Sequence, residues 1–421
     1  MSQSRRGFLK QSMVATGLAG GLLAARPALA QKVKTRGTIG ANERIRLGVI
    51  GCGGLGMAHH VPTLMRMSED PKFNIELAAV CDIYEPRKQR AKEVSGAELF
   101  HDYRKLLERD DIHGAVIVTP DHWHAKMAID AMEAGKDIHL EKPMTLHWEE
   151  ARDVYKTAER LKRVVQVGAE GCSRDLYWQA RSAIKAGKLG KVVWASGGVY
   201  RNVPGGDWNY PVDPKCTPKT LDWDAFLGPA PKRSFDPERY FRYRKYWDYS
   251  GGLAHDLIAH VLSALQICIG AEFPSRVSAA GGVYCHKDRE TPDVFHMMAE
   301  YPSQYTATLF CTQCTETGAP LAIRGEKAAM SFPRHQERSA PKILRIEPEK
   351  AFSKDAAPEE IGEQPRMGHD ENFIHCMRTR EKTHCDALTG YKVMVALDLA
   401  VRSWREGKMF TFDPHKQVIV A

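Results

Sequence analysis

Ile45-Arg46-Leu47-Gly48-Val49-Ile50 runs without a break into Gly51-Cys52-Gly53-Gly54-Leu55-Gly56, and a helix-patterned stretch follows through Met67. The first six residues are nearly all apolar, as a strand buried on both faces of a parallel sheet must be. The glycines fall where strand turns into helix, the one place a dinucleotide site needs them. Gly51 is expected to allow the tight turn, and Gly53, with Gly54 and Leu55 in the same loop, to let backbone approach a pyrophosphate. Gly56 is expected to permit close helix–strand packing, with the phosphates at the helix N-terminus. Asn74 to Cys81 reads as a second strand, ended by Asp82, 26 residues after Gly56. A carboxylate there bonds the adenosine ribose hydroxyls and repels a 2′-phosphate, favouring NAD, while Arg87 close by in sequence keeps NADP possible.

The alternation continues. Lys105 to Arg109 ends a helix, Gly114 to Val118 is a third core strand stopped at Thr119-Pro120, and His124 to Ala134 has helical periodicity closed by Gly135. Asp137 to Leu140 forms a further strand ending in Glu141-Lys142-Pro143. Strands alternating with helices predict an α/β fold, a Rossmann-type doubly wound parallel sheet whose ligands lie at the strands' carboxyl ends. Thr119, Pro120, Glu141 and Lys142 all fall at that edge, and with His124 they are cofactor-site candidates.

The glycine loop, Thr119-Pro120-Asp121-His122-Trp123-His124, Ala134-Gly135-Lys136 and Glu141-Lys142-Pro143 together resemble the glucose–fructose oxidoreductase / inositol dehydrogenase / MocA (Gfo/Idh/MocA) family. The resemblance extends through Gly251-Gly252-Leu253-Ala254-His255-Asp256-Leu257-Ile258-Ala259-His260 and through Trp223 to Pro231, covering most of residues 44–410. It implies a nicotinamide-dependent enzyme acting on a sugar or polyol. It also implies a C-terminal α/β domain with an open, mostly antiparallel sheet of the kind that mediates oligomer contacts.

Asp256 and His260 are four residues apart in a helix-patterned stretch, which places both on one face. A carboxylate beside an imidazole raises its pKa and fixes its orientation, so the pair is a candidate acid–base unit. Gly251 and Gly252 are expected to let backbone approach a ligand. Lys142, at the strand edge, is expected to bind the reacting hydroxyl and stabilise a developing alkoxide, or to act as base if burial lowers its pKa. His122 and His124 flank Trp123, and either is a lesser candidate for the nicotinamide's neighbourhood. Residues 194–249 hold 13 of the chain's 36 aromatic residues, mixed with Arg239, Arg242 and Arg244, a composition that suits sugar stacking or a packed loop at a subunit contact.

The chain has 421 residues and 27% charged residues, which fits two domains and excludes collagen, coiled coil and wholesale disorder. The formal charge of +8 falls to +4 without the first 30 residues, so nucleic-acid binding has no electrostatic support. Ser4-Arg5-Arg6-Gly7-Phe8-Leu9-Lys10, the short apolar run Met13–Leu23 and Ala28-Leu29-Ala30 resemble a twin-arginine export signal, with Gln31 as the mature start. The apolar run is too short and glycine-rich to span a bilayer. Ten cysteines mostly sit singly inside apolar runs, as small buried hydrophobes do, and Cys311 and Cys314 are too strand-like in setting to hold zinc.

The expected organisation is a signal at 1–30, an arm at 31–43, a Rossmann domain at 44–165 and a substrate and oligomerisation domain at 166–421. The expected activity is periplasmic oxidation or reduction of a carbohydrate or cyclic polyol with a tightly held NAD(P), in a homo-oligomer exported folded by the twin-arginine machinery. Two alternatives remain: an NAD-dependent glycosidase that oxidises a sugar carbon transiently, eliminates the glycosidic bond and reverses the oxidation, and a non-catalytic carbohydrate-binding relative.

Overall fold

The computed structural model describes residues 39–40, 42–333 and 342–420. The expected export signal and most of the arm lie outside the described residues. Ile39, within the expected arm, is buried in a core that also contains Ile45 and Val61 of the first domain.

Six parallel strands form the first sheet: β1 (Ile45–Ile50), β2 (Ile75–Cys81), β3 (Glu98–Phe100), β4 (Gly114–Ile117), β5 (Asp137–Glu141) and β6 (Val165–Gly168). Their order is β3-β2-β1-β4-β5-β6. The strand order therefore reverses between β1 and β4, and a crevice opens at that point beyond the carboxyl ends of both. All of β4 and β5 is buried, as a two-sided sheet requires.

The second sheet contains β7 (Val192–Asn202), β8 (Arg276–Gly282), β9 (Val294–Glu300), β10 (Thr306–Thr312), β11 (Cys314–Thr315), β12 (Ala322–Gly325), β13 (Ala328–Ser331), β14 (Ile343–Pro348), β15 (Glu359–Gly362), β16 (Phe410–Asp413) and β17 (Val418–Val420). Its order is β15-β14-β13-β12-β7-β10-β9-β8-β16-β17, with β11 on β7, and only the β7–β10 pair is parallel. Inward Ala195, Ala299, Leu309 and Cys311 pack under helices Ala259–Ile269 and Ala387–Glu406.

The first sheet and its core extend past residue 165, where the domain boundary is expected, in two ways. That boundary falls at the first residue of β6, which pairs in parallel with β5 from Val165 to Gly168. Helix His369–Thr379, far beyond that boundary, packs on the first sheet: Phe373, Ile374 and Met377 share a core with Leu47, Val49 and Val116. The chain thus returns to finish its first domain. That closure depends on a sequence separation of more than 200 residues, which no local pattern reports.

Candidate active site

The loop after β1 takes its shape from glycine. Gly51 has φ +100°, and a Cβ there would lie 2.4 Å from Val118 O across the β1–β4 crevice. A Cβ on Gly56 would lie 2.2 Å from Gly51 O, so this residue serves close packing and does not line the cavity. Gly54 meets nothing within 4 Å, leaving its backbone open to a ligand. The loop enters a π-turn, Gly56–His60, continued by helix Val61–Glu69, so the glycine loop sits at a helix N-terminus, where an anion is favoured.

A cavity of about 990 Å³ spans this crevice and the second domain. Gly51, Gly53, Gly54, Leu55, Asp82, Thr119, Pro120, Glu141, Lys142, Asp256 and His260 all line it. The Thr119 hydroxyl is buried without a hydrogen-bond partner, a polar atom available to a ligand at the crevice. Asp82 ends β2 as expected, and its carboxylate accepts N–H groups of Cys52 and Tyr84, each at 2.8 Å. It therefore braces the glycine loop while facing the cavity. The Arg87 guanidinium stands 3.2 Å from where a Gly53 Cβ would be, stacked on Tyr240 and Phe241 and bonded to the Tyr240 hydroxyl. An open glycine backbone, a cation above it and a carboxylate at the end of β2 fit a dinucleotide.

Two candidates, His124 and His122, lie behind the cavity wall. His124 lies inside helix Asp121–Glu133, buried, with Nδ1 2.6 Å from Pro143 O and Nε2 2.8 Å from Thr119 O. It ties together the two loops that border the cavity and does not itself line it. His122 is also walled in, with Nε2 2.8 Å from Phe226 O, and burial lowers its pKa to about 4.

At the other end, the Lys142–Pro143 bond is cis, and Lys142 Nζ donates to Asp256 Oδ1 and to Asp256 O, both at 2.9 Å. Asp256 Oδ1 also accepts from Arg244 Nε at 2.9 Å, and Oδ2 accepts from Trp208 Nε1 at 3.1 Å. Burial opposes the Asp256 charge, but Arg244 and Lys142 outweigh it and hold the carboxyl well below the usual range. The sequence pairs Asp256 with His260; the structure adds Lys142, Arg244 and Trp208, all of which donate to its carboxylate. The physical reason is a π-turn at Ala254–Ile258, which widens the helix and turns Asp256 toward β5 and the aromatic segment. His260 follows in helix Ala259–Ile269 and lines the same cavity. Gly251 and Gly252 make room for protein, not ligand: Cβ atoms there would meet the His255 ring at 2.2 Å and Thr291 at 2.8 Å.

Trp208, Tyr210, Tyr243, Arg244 and Arg201 complete the wall around Lys142 and His260. Trp208 has φ +68°, a strained conformation for a bulky residue, at the position where its indole bonds Asp256. The aromatic density of residues 194–249 flagged this segment without separating roles. Much of it forms a small core of Tyr84, Phe226, Leu227, Tyr240 and Tyr249 beneath the cavity. Glu170 also lines the cavity and had no signal in the sequence.

Comparison with known proteins agrees with this architecture. Residues 45–169 match the Gfo/Idh/MocA model described as "Oxidoreductase family, NAD-binding Rossmann fold", and residues 205–281 match its "C-terminal alpha/beta domain". The N-terminal domain is therefore NAD-binding. A glycosyl hydrolase family 109 protein from Shewanella sp. (strain ANA-3) is 35% identical over 183 residues, 38% of either chain. Inositol 2-dehydrogenase from Rubrobacter xylanophilus is 31% identical over 158 residues, 37% of this chain and 43% of the relative. Both matches thus span less than half the relative. The WlbA dehydrogenase of Bordetella pertussis, solved with NADH and UDP-GlcNAcA, superposes with a TM-score of 0.67 at 19% identity, covering 88% of this chain and 99% of that one.

Proposed function

We propose that this chain, which carries the NAD-binding and C-terminal domains of the Gfo/Idh/MocA oxidoreductase family, oxidises or reduces a carbinol carbon of a sugar or cyclic polyol. The observation that carries this reading is the convergence of Lys142, Asp256 and His260 on the cavity that also holds the glycine loop. When bound, the dinucleotide supplies reversible hydride acceptance at its nicotinamide ring. Lys142 Nζ, anchored by Asp256, presents its remaining donor capacity to the reacting oxygen and stabilises alkoxide character there. His260 takes the hydroxyl proton. Asp256 positions Lys142 and Arg244. Trp208 and Tyr243 supply flat faces for the C–H faces of a ring, and Arg244 closes the wall beside them.

The test is His260→Ala. Loss of a general base costs on the order of 100-fold or more in kcat, with NAD affinity retained. Unchanged turnover removes His260 from the mechanism.

The family 109 glycosyl hydrolase relative supports a second reading for the same site. Here the sugar carbon is oxidised, the adjacent acidified C–H loses its proton, the glycosidic bond eliminates, water adds back, and the carbon is re-reduced, with no net redox change. Product analysis separates the two: a released aglycone with unchanged NAD supports the glycosidase, and an accumulating ketone or lactone supports the dehydrogenase. The reading includes periplasmic export, for which the paired Arg5 and Arg6 are the support. An exported enzyme must hold its cofactor tightly, so denaturing the purified protein is expected to release near-stoichiometric nucleotide. No helix among the described residues is long and apolar enough to cross a membrane. We place an oligomer contact on the open face of the second sheet, where Trp194 and Met298 are exposed, to be checked by light scattering.

A further inference from the structure

Behind the glycine loop, the π-turn carries His59 and His60, and helix His369–Thr379 brings Asp370 against them. His59 Nε2 lies 3.1 Å from Asp370 Oδ2 and 3.1 Å from Glu170 Oε1. One imidazole nitrogen carries at most one proton and makes one linear N–H···O bond, so it cannot satisfy two carboxylates converging at equal distance. A cation can. Metal–ligand distances of about 2.0–2.2 Å put neighbouring ligand atoms of a tetrahedral zinc roughly 3.3 Å apart, close to both separations.

His60 is arranged as a further ligand. Its Nε2 is 2.9 Å from Glu141 Oε1, and its Nδ1 faces Asp370 Oδ1 at 4.0 Å. Glu141 is a buried carboxylate within hydrogen-bond distance of His60 Nε2, and so the acceptor of its N–H. A histidine that donates one ring N–H to a carboxylate leaves the other nitrogen's lone pair for a metal, the usual carboxylate–histidine–metal relation. The side chains grade from rim to interior: Glu170 is 58% exposed, His59 33%, Asp370 18% and His60 2%. An ion thus has a way in and a buried seat.

We propose that His59, His60, Asp370 and Glu170 form a site for one divalent transition-metal ion of the zinc class. Two imidazoles and two carboxylates select such an ion over magnesium or calcium, which prefer all-oxygen sets. The ion would clip helix His369–Thr379 to the turn behind the cofactor loop, tying together two segments more than 300 residues apart in sequence. The cluster of Cys285, Asp293 and Cys314 is a weaker seat, because Asp293 already accepts N–H groups of Tyr284, Cys285 and His286 at 2.6–2.8 Å.

The test uses untagged full-length protein, loaded with Zn²⁺, dialysed, and analysed by elemental mass spectrometry, with Co²⁺ substitution read by visible absorption. The proposal expects about one zinc per chain and tetrahedral Co²⁺ bands without thiolate charge transfer. His59→Gln and Asp370→Asn are each expected to lower Zn²⁺ affinity on the order of 100-fold or more, judged against the 10–100-fold cost of losing an outer partner alone. Cys285→Ser with Cys314→Ser is expected to leave it unchanged. Wild-type protein without bound zinc overturns the proposal, as does zinc retained in both ligand variants, zinc lost in the cysteine variant, or a thiolate band. Circular dichroism and NAD titration establish that each variant is folded. If the ligand variants fail to fold, the wild-type stoichiometry and Co²⁺ spectrum decide.

Discussion

Replacing Asp256 by Asn removes one negative charge from beneath two cations without changing side-chain size. The Lys142 and Asp256 side chains are each 12% exposed and that of Arg244 is 22% exposed, so water screens the cluster poorly. The carboxylate accepts two charge-assisted bonds from these cations, each contributing about 1.5–3 kcal/mol. Breaking a buried pair while leaving its cations in place costs about 3–5 kcal/mol, which agrees with that sum. Asp256→Asn is therefore expected to lose roughly 3–5 kcal/mol of stability at neutral pH, read as a lowered urea midpoint. The sign of the pH dependence follows from the depressed folded pKa. Stability from the ionised carboxylate is complete above its unfolded pKa of about 3.9 and drains away as pH falls toward the folded value. The gap between wild type and variant should accordingly shrink by roughly 1 kcal/mol between about pH 5 and pH 3. Catalysis should fall as well, because Lys142 loses its anchor. A stability gap below about 1 kcal/mol at neutral pH, with unchanged kcat, would refute the assignment of Asp256 as the electrostatic keystone of the site.

Gly51→Ala forces a side chain into φ +100° and against Val118 O, so it should cost roughly 1–3 kcal/mol and lower NAD affinity, both measurable by thermal melts with and without NAD. Met377→Ala removes a fully buried side chain whose Cε lies 2.9 Å from where a Cβ on Gly114 of β4 would be. A loss of about 2–5 kcal/mol is expected, and a negligible loss would mean helix His369–Thr379 does not complete the first domain. His124→Phe should weaken NAD binding through displacement of the Thr119 and Pro143 loops. A His260→Ala enzyme should instead bind NAD normally and turn over slowly, so titrating NAD into both variants separates positioning from chemistry.

Local sequence determined the first half of this protein. The run from Ile45 to Gly56 dictates strand, turn and helix because burial, positive φ and close backbone approach each demand a residue type that is legible without any partner. Asp82, Thr119, Pro120, Glu141 and Lys142 could be placed for the same reason: in a parallel sheet the carboxyl end of every strand lies at one edge, whatever the strand order. Tertiary structure decided the rest. That Asp256 holds Lys142 depends on a π-turn and on Trp208 and Arg244 arriving from the aromatic segment, and spacing of four residues is blind to both. His124 reads as a site residue because its neighbours line the cavity; only the approach of Pro143 O and Thr119 O shows that it ties two loops together. The gathering of His59, His60, Asp370 and Glu170 depends on a helix returning from the far end of the chain. Hydrophobic periodicity says which face of that helix is buried, but the partner it is buried against is set by the packing of the whole fold.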